Sequence, residues 1–144
     1  MSLAATALAA SGCGGAVDLD SPSLSGVAAT QCADLAAARP ASVAGAESRD
    51  VDGSGVTLAW GDPPITLRCG VPEPSSLQPG SRCDTVERVD WFTTRTEDGY
   101  RFATIGRSTT VDLFVPSEYD PAGDALVDVA AAVRRSIPSV QRCL

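Results

Sequence analysis

Alternating apolar and polar residues in the middle of the chain predict a series of short β-strands. The segment 65–69 (ITLRC) alternates regularly, which is the period of a half-buried strand. Further extended runs lie at 56–60, 85–94 (with a possible turn at Glu87-Arg88), 100–105 and 109–115. Because tight turn signals such as Glu97-Asp98-Gly99 separate these runs, we expect an antiparallel meander.

Two other segments have the period of a helix. Residues 121–137 place apolar side chains on an i, i+3, i+4, i+7 stripe, with Asp120 as the predicted N-cap and Pro121 in the first helical position. A shorter helix is predicted at 31–39, between Thr30 and Pro40. The whole pattern predicts an α+β fold, in which an N-terminal short helix and a C-terminal helix pack on one face of the antiparallel sheet.

The beginning of the chain is typical of an exported lipoprotein. An apolar run leads into Ala-Ser-Gly-Cys13, the kind of site that a lipoprotein signal peptidase cleaves. We expect residues 1–12 to be the tail of a signal peptide whose basic start lies upstream, and Cys13 to be the lipid anchor. Residues 13–29 are predicted as a lipidated flexible tether and 30–144 as a single α+β domain. The alternative is an alanine-rich leader with an incidental cysteine.

The cysteine count favours the same compartment. With Cys13 used as the anchor, four of the five cysteines remain, which are Cys32, Cys69, Cys83 and Cys143. An even number in an exported domain predicts two disulfides, and no Cys-x-x-Cys pair supports zinc or another metal. Three pairings are open. We favour Cys69–Cys83, because these two flank a proline-rich segment between strands, and this choice leaves Cys32–Cys143.

The charges exclude several classes of function. Eighteen acidic residues and eleven arginines give a net charge of −7, and there is no lysine and no histidine. Nucleic-acid binding needs a basic face and is therefore not expected. Imidazole general bases and lysine Schiff bases are excluded, so carboxylates are the only available acid–base groups.

Four residues are candidates for ligand binding. Trp60, Asp62 and Arg68 surround a rigid Pro-Pro turn and would form a small binding lip, while Arg107 in a Gly-Arg-Ser turn would bind a carboxylate or phosphate. The structural alternative, which we favour, is that Trp60 caps the core, Arg68 pairs with a carboxylate of the sheet, and Arg107 is solvated.

One block of sequence resembles a known family. The block 60–71 (WGDPPITLRCGV) is followed by Cys83, Trp91, the turn 104–107 (TIGR) and a strand ending at Pro116. Together with the helix from 121 to 133, these motifs resemble an uncharacterised family of actinobacterial lipoproteins, catalogued as a domain of unknown function. The resemblance spans about 30–144 and implies a lipid-anchored, disulfide-bonded envelope domain without an assigned activity.

These observations predict a non-enzymatic lipoprotein on the outer face of the cell membrane. We expect no catalytic residue and no cofactor. The predicted partners are the membrane, through the lipid, and an envelope protein or wall component. The alternative function is a carboxylate-dependent hydrolase acting on envelope glycans, although the paired acids lie in turns or linkers.

Overall fold

The computed structural model describes residues 15–143; the predicted anchor Cys13 and the predicted signal-peptide tail at 1–12 lie outside the described residues. The helices are α1 (Gly26–Ala37) and α2 (Gly123–Ser136), and a 3₁₀ turn covers Ser117–Tyr119. The strands are β1 (Val17–Asp18), β2 (Ser42–Val43), β3 (Ala46–Arg49), β4 (Val51–Asp52), β5 (Val56–Trp60), β6 (Ile65–Cys69), β7 (Asp84–Val86), β8 (Val89–Arg95), β9 (Gly99–Thr104) and β10 (Val111–Pro116). Neither helix is long and apolar enough to cross a membrane.

Eight of the strands form one sheet in the order β2-β3-β5-β6-β10-β9-β8-β7, with every neighbouring pair antiparallel. The predicted α+β fold with an antiparallel sheet, two helices and two disulfides is confirmed. The sheet is not one continuous meander, however. Two meanders, β2-β3-β5-β6 and β7-β8-β9-β10, are joined in the middle because β6 pairs with β10, while β4 pairs with β1 in a separate two-stranded sheet. The loop 70–83 therefore carries the chain from the centre of the sheet to its far edge.

The core lies between the two helices and one face of the sheet, which we call the inner face. Leu58, Leu67 and Leu113 are neighbours across β5, β6 and β10 and are almost fully buried there. The stripe on α2 packs on this face, and Leu126 and Val129 are at most 3% exposed. Burying each such side chain contributes about 1.5–3 kcal/mol, so this layer is the main source of stability.

Both helices differ from the sequence prediction at their first residues. Helix α2 begins at Gly123, because the preceding chain forms the 3₁₀ turn and Asp120 ends that turn in an extended conformation. Asp120 is therefore not the N-cap. Helix α1 begins at Gly26 rather than at Gln31, and Gln31 is buried within it, accepting hydrogen bonds from the hydroxyls of Thr109 (2.6 Å) and Ser108 (3.0 Å).

The segment before α1 lies along the domain from Val17 onward, whereas the sequence pattern predicts a flexible tether over 13–29. From Val17 onward its backbone is hydrogen-bonded to the domain, with β1 parallel to β4. Gly53 and Gly55 have positive φ angles of 148° and 77°, and a Cβ on either would collide with this segment. Glycine is needed at these two positions because the backbones approach so closely. Residues 17–29, which precede the predicted boundary at residue 30, are therefore packed with the domain.

The predicted disulfide pairing is wrong. The bonds join Cys32 to Cys69, with Cα atoms 5.7 Å apart, and Cys83 to Cys143, at 6.4 Å. Cys69 ends β6 on the inner face, where α1 presents Cys32, while the loop 70–83 carries Cys83 away to the edge where the C-terminal tail returns. The sequence separations of 37 and 60 residues predict about 4 kcal/mol of stabilisation for each bond in the chain-entropy treatment.

A buried carboxylate fixes the C-terminal tail beside the second disulfide. Asp90 accepts hydrogen bonds from the Thr85 hydroxyl at 2.6 Å and from the backbone N–H of Cys143 at 3.0 Å, and Arg142 lies 3.8 Å away. Burial raises the pKa of Asp90, but these hydrogen bonds and the charges of Arg142 and Arg107 outweigh burial, so that the pKa is lower than usual. The ionised form is therefore stabilised by folding.

We expect the stability contributed by the Asp90 charge to depend on pH. Because its pKa is lowered on folding, the contribution is present above the ordinary carboxyl pKa of about 4 and is lost as the pH falls through the lower folded value. Asp90→Asn should be about 2 kcal/mol less stable than the wild type at pH 7, and this difference should shrink in acid. Urea unfolding of both proteins at pH 7 and near pH 2.5 measures it. Asp34→Asn, at an exposed position of α1, is the control. A difference that is the same at both pH values would contradict the prediction.

The packing of α2 on the sheet predicts a large difference between two neighbouring valines. Val129→Asp places a carboxylate in the core and should lower the free energy of unfolding by about 3–5 kcal/mol. Val127→Asp, on the same helix but 49% exposed, should change it by no more than about 0.5 kcal/mol. Denaturant unfolding monitored by tryptophan fluorescence compares them, since Trp60 and Trp91 are buried in the core. Equal effects would show that α2 does not pack as described.

Candidate functional site

The face of the sheet that points away from the helices, here called the outer face, carries charged residues at its centre. Strand alternation places Arg68 of β6 there, because its neighbours Leu67 and Cys69 point to the inner face. The register then sets Asp112 of β10 opposite Arg68, and Ala103 of β9 opposite Asp112. The pairing of β6 with β10, which joins the two meanders, therefore places Arg68 and Asp112 side by side.

Two arginines share the carboxylate of Asp112. Arg68 donates from Nε at 3.2 Å and from Nη2 at 2.7 Å to Asp112 Oδ2, and Arg101 donates from Nη1 to the same oxygen. The Asp112 side chain is only 8% exposed, whereas those of Arg68 and Arg101 are 34% and 42% exposed. One carboxylate neutralises one guanidinium, so the three residues have a net charge of +1 in a chain whose total charge is −7.

Arg101 is held on a second side by an aromatic ring. Its Cζ lies 5.5 Å from the centroid of the Phe114 ring, which is its cross-strand neighbour on β10. A guanidinium over an aromatic face is attracted by the ring quadrupole. Arg101 is therefore positioned from two directions, by Asp112 and by Phe114, while part of its side chain still faces solvent.

The charged cluster forms the floor of a cleft of about 260 Å³, which we call the arginine cleft. Its floor is Arg68, Arg101, Ala103 and Asp112, and its walls are Pro22, Val71, Pro72 and Pro74. Pro22 comes from the segment before α1 and the other wall residues from the loop after β6. Prolines have a fixed φ angle and no N–H, so the walls are stiff and apolar around a floor rich in hydrogen-bond donors. Such a combination is typical of a small binding site for a polar ligand.

A second cavity, of about 420 Å³, lies beyond Phe114 on the same face and is lined by acids. Its four carboxylates are those of Asp18, Glu97, Asp98 and Glu118, and all four residues are exposed. A general acid that works near neutral pH needs a desolvated carboxyl group. The acidic cavity offers several carboxylates but no such environment.

The sequence-predicted lip is not assembled. Trp60 is fully buried in the core, where its indole N–H donates to the Pro40 carbonyl oxygen at 2.9 Å. Arg68 lies on the other face of the same hairpin, because it pairs with Thr57 while Trp60 pairs with Ile65. The Asp62 side chain is 90% exposed and lies 3.9 Å from Arg49. Of the three residues, only Arg68 lines the arginine cleft.

Arg107 holds backbone carbonyls together. It donates from Nη1 to the carbonyl oxygen of Ile137 at 2.5 Å and from Nη2 to that of Arg88 at 3.1 Å. Burial lowers its pKa, and nearby Asp90 acts in the opposite direction. Arg107 thereby ties the end of α2 to the β7–β8 turn, and these two donors serve the fold.

One cluster has the residue types of a metal site. The sulfurs of Cys83 and Cys143 and a carboxylate oxygen of Asp90 lie within 4.8 Å of one another. The two sulfurs are joined in a disulfide, and thiolates are the form of cysteine that binds metals. Asp90 already accepts hydrogen bonds from Thr85 and Cys143. With the disulfide formed, this cluster fixes the C-terminal tail to the edge of the sheet.

Sequence reasoning missed Arg101 and Asp112. The alternation in GYRFAT and VDLFVP does place both on the polar face of their strands. Their proximity to Arg68, however, requires β10 to lie between β6 and β9. The alternation of apolar and polar residues along each strand does not predict the order of the strands in the sheet.

Comparison with known proteins defines a family but no activity. No curated protein and no solved structure is significantly similar to the chain. The family model described as "Protein of unknown function (DUF3515)" matches residues 3–142, and so begins well before the resemblance over about 30–144. Since this match covers almost the whole sequence, the chain belongs to that family of unknown function.

Proposed function

We propose that the protein is an exported, membrane-anchored, non-enzymatic domain that binds a component of the cell envelope in the arginine cleft. The observation that carries this proposal is the cleft itself. Two arginines that share one carboxylate form the floor of a stiff, proline-walled cavity in a strongly acidic protein. Convergent polar groups in a concave apolar setting are the usual features of a ligand site.

Export is supported by the two disulfides. Cys32 and Cys69 are fully buried, and the second bond ties the C-terminal tail to the sheet edge. Structural disulfides persist in oxidising compartments and are rare in the cytosol. The proposed anchor is Cys13, in its Ala-Ser-Gly-Cys setting, and the family match extends over this part of the chain.

Binding is favoured over hydrolysis by the environment of the carboxylates. Among residues 15–143 the buried acids are Asp90 and Asp112, and each accepts hydrogen bonds from its neighbours, two at Asp90 and three at Asp112. The acids that line the acidic cavity are exposed. A carboxylate-dependent hydrolase of envelope glycans would need one carboxyl group that stays protonated near neutral pH. The binding role needs none.

The anchor is tested by replacing Cys13. The chain is expressed behind a basic leader in a bacterium that processes lipoproteins, and is then partitioned between detergent and water. The wild type should enter the detergent phase and incorporate labelled palmitate, and Cys13→Ser should remain aqueous or uncleaved. An unacylated wild type in the aqueous phase would refute the anchor.

The binding face is tested by photo-crosslinking in native membranes. Benzoylphenylalanine at Phe92 replaces one aromatic ring by another on the outer face, next to Ala103 of the arginine cleft. The same group at Val127, on the exposed side of α2, is the matched control. We expect a product from position 92 that is lost when Arg68 and Arg101 are both changed to Gln, and no such product from position 127. Identical products from both positions, or products that survive the arginine changes, would show that the cleft is not the binding site.

A further inference from the structure

We infer that the ligand group held in the arginine cleft is a small oxyanion, a carboxylate or a phosphate, bound between the guanidinium groups of Arg68 and Arg101. This inference rests on the proposed role of the cleft as the binding site. Arginine presents its donors in a planar fork that matches two oxygens of an anion, which makes it the usual residue for recognising both groups. The shared chemistry of the two groups is two or more negatively charged oxygens on one atom.

The cluster has donors left over for such a group. Within residues 15–143, the two guanidinium groups make three hydrogen bonds to Asp112, and all three reach the same oxygen, Oδ2. Each guanidinium carries more donors than these bonds use. The side chains of Arg68 and Arg101 are one-third or more exposed, and both line the cleft. A second anion can therefore be bound without displacing Asp112.

Asp112 is the positioning residue of this site. Two guanidinium groups repel each other, and the almost buried carboxylate between them holds them at one place on the sheet. It leaves a net charge of +1, which an incoming monoanion would neutralise. The cation–π contact with Phe114 keeps Arg101 in the same orientation, so little side-chain ordering remains for the ligand to impose.

The walls decide which part of a ligand fits. Pro22, Pro72 and Pro74 offer no N–H donor, so the strong donors in the cleft are concentrated on its floor. Charge–charge attraction is stronger beside apolar walls than in open water. A volume of about 260 Å³ is smaller than the cavities that enclose drug-sized ligands. The cleft is therefore suited to the end of a larger envelope molecule, whose terminal anion enters while the rest stays outside.

The inference is tested by titrating the ¹⁵N-labelled 144-residue chain, carrying Cys13→Ser so that no lipid is attached, with sodium phosphate or sodium acetate. The arginine Nε–H signals are followed by NMR at constant ionic strength, with sodium chloride as the salt control. We expect a saturable shift of the Arg68 and Arg101 signals with at least one of the two anions and none with chloride. Saturation by phosphate alone assigns a phosphate ligand, and saturation by acetate alone assigns a carboxylate.

Matched variants make the test specific. Arg68→Gln and Arg101→Gln should each weaken anion binding about tenfold or more, because each removes charge-assisted hydrogen bonds. Arg39→Gln removes the same charge from an exposed position after α1 and should leave the affinity unchanged. Thermal unfolding verifies that each variant is folded. Should a glutamine variant fail to fold, lysine is placed at the same position instead. Lysine keeps the positive charge but lacks the planar pair of donors of a guanidinium group, so it should weaken binding severalfold.

Two outcomes would overturn the inference: no saturable shift with either anion, or equal affinity in the wild type and the folded arginine variants. These outcomes are separable from failure of the proposed function. If the crosslinks from position 92 still depend on the arginines while neither anion binds, the cleft holds a partner without an oxyanion and only the inference is wrong. If the crosslinks also fail, the binding role of the cleft is wrong as well.

Discussion

The pairing of β6 with β10 is the interaction on which the rest of the molecule depends. It joins two meanders that would each be a small sheet with half of a core, and it places Leu67 beside Leu113 at the middle of the inner face. The helices can then cover one continuous apolar surface. The same register places Arg68 beside Asp112 on the outer face. The same long-range strand pairing therefore positions the core on the inner face and the candidate site on the outer face. The entropy lost in bringing β6 and β10 together is offset by the burial of apolar side chains on the inner face.

Much of the local structure follows from the sequence. The alternation at 56–60 and 65–69 gives β5 and β6 at the predicted bounds, and the turn at Glu87-Arg88 has positive φ angles at both residues, 47° and 65°. That turn is suited to a two-residue hairpin, which is why the extended run around it divides into β7 and β8. The apolar stripe of α2 predicts correctly which side of the helix is buried. In each case the deciding interactions are within a few residues.

What the sequence could not supply is the arrangement of distant elements. The sequence favours Cys69–Cys83 because the two flank a proline-rich segment between strands, but that segment crosses half the sheet, and the sulfur bonded to Cys69 belongs to Cys32 on α1. The predicted binding lip of Trp60, Asp62 and Arg68 does not form for a related reason. Trp60 and Arg68 share a hairpin, and pairing parity places them on opposite faces. Arg101 and Asp112 were on the polar sides of their strands, but only the order of the strands brings them to Arg68.

The backbone pairing of the segment before α1 limits how far the domain can lie from residue 13, the site of the proposed anchor. Within the described residues, backbone pairing with the domain is present at Val17, four residues after Cys13 in the sequence, and four residues of fully extended chain span about 14 Å. If Cys13 carries the proposed lipid, the domain would therefore lie close to the layer of lipid headgroups. A ligand of such an anchored domain would have to be present at the membrane surface, because the short connection could not extend the domain far into the cell wall.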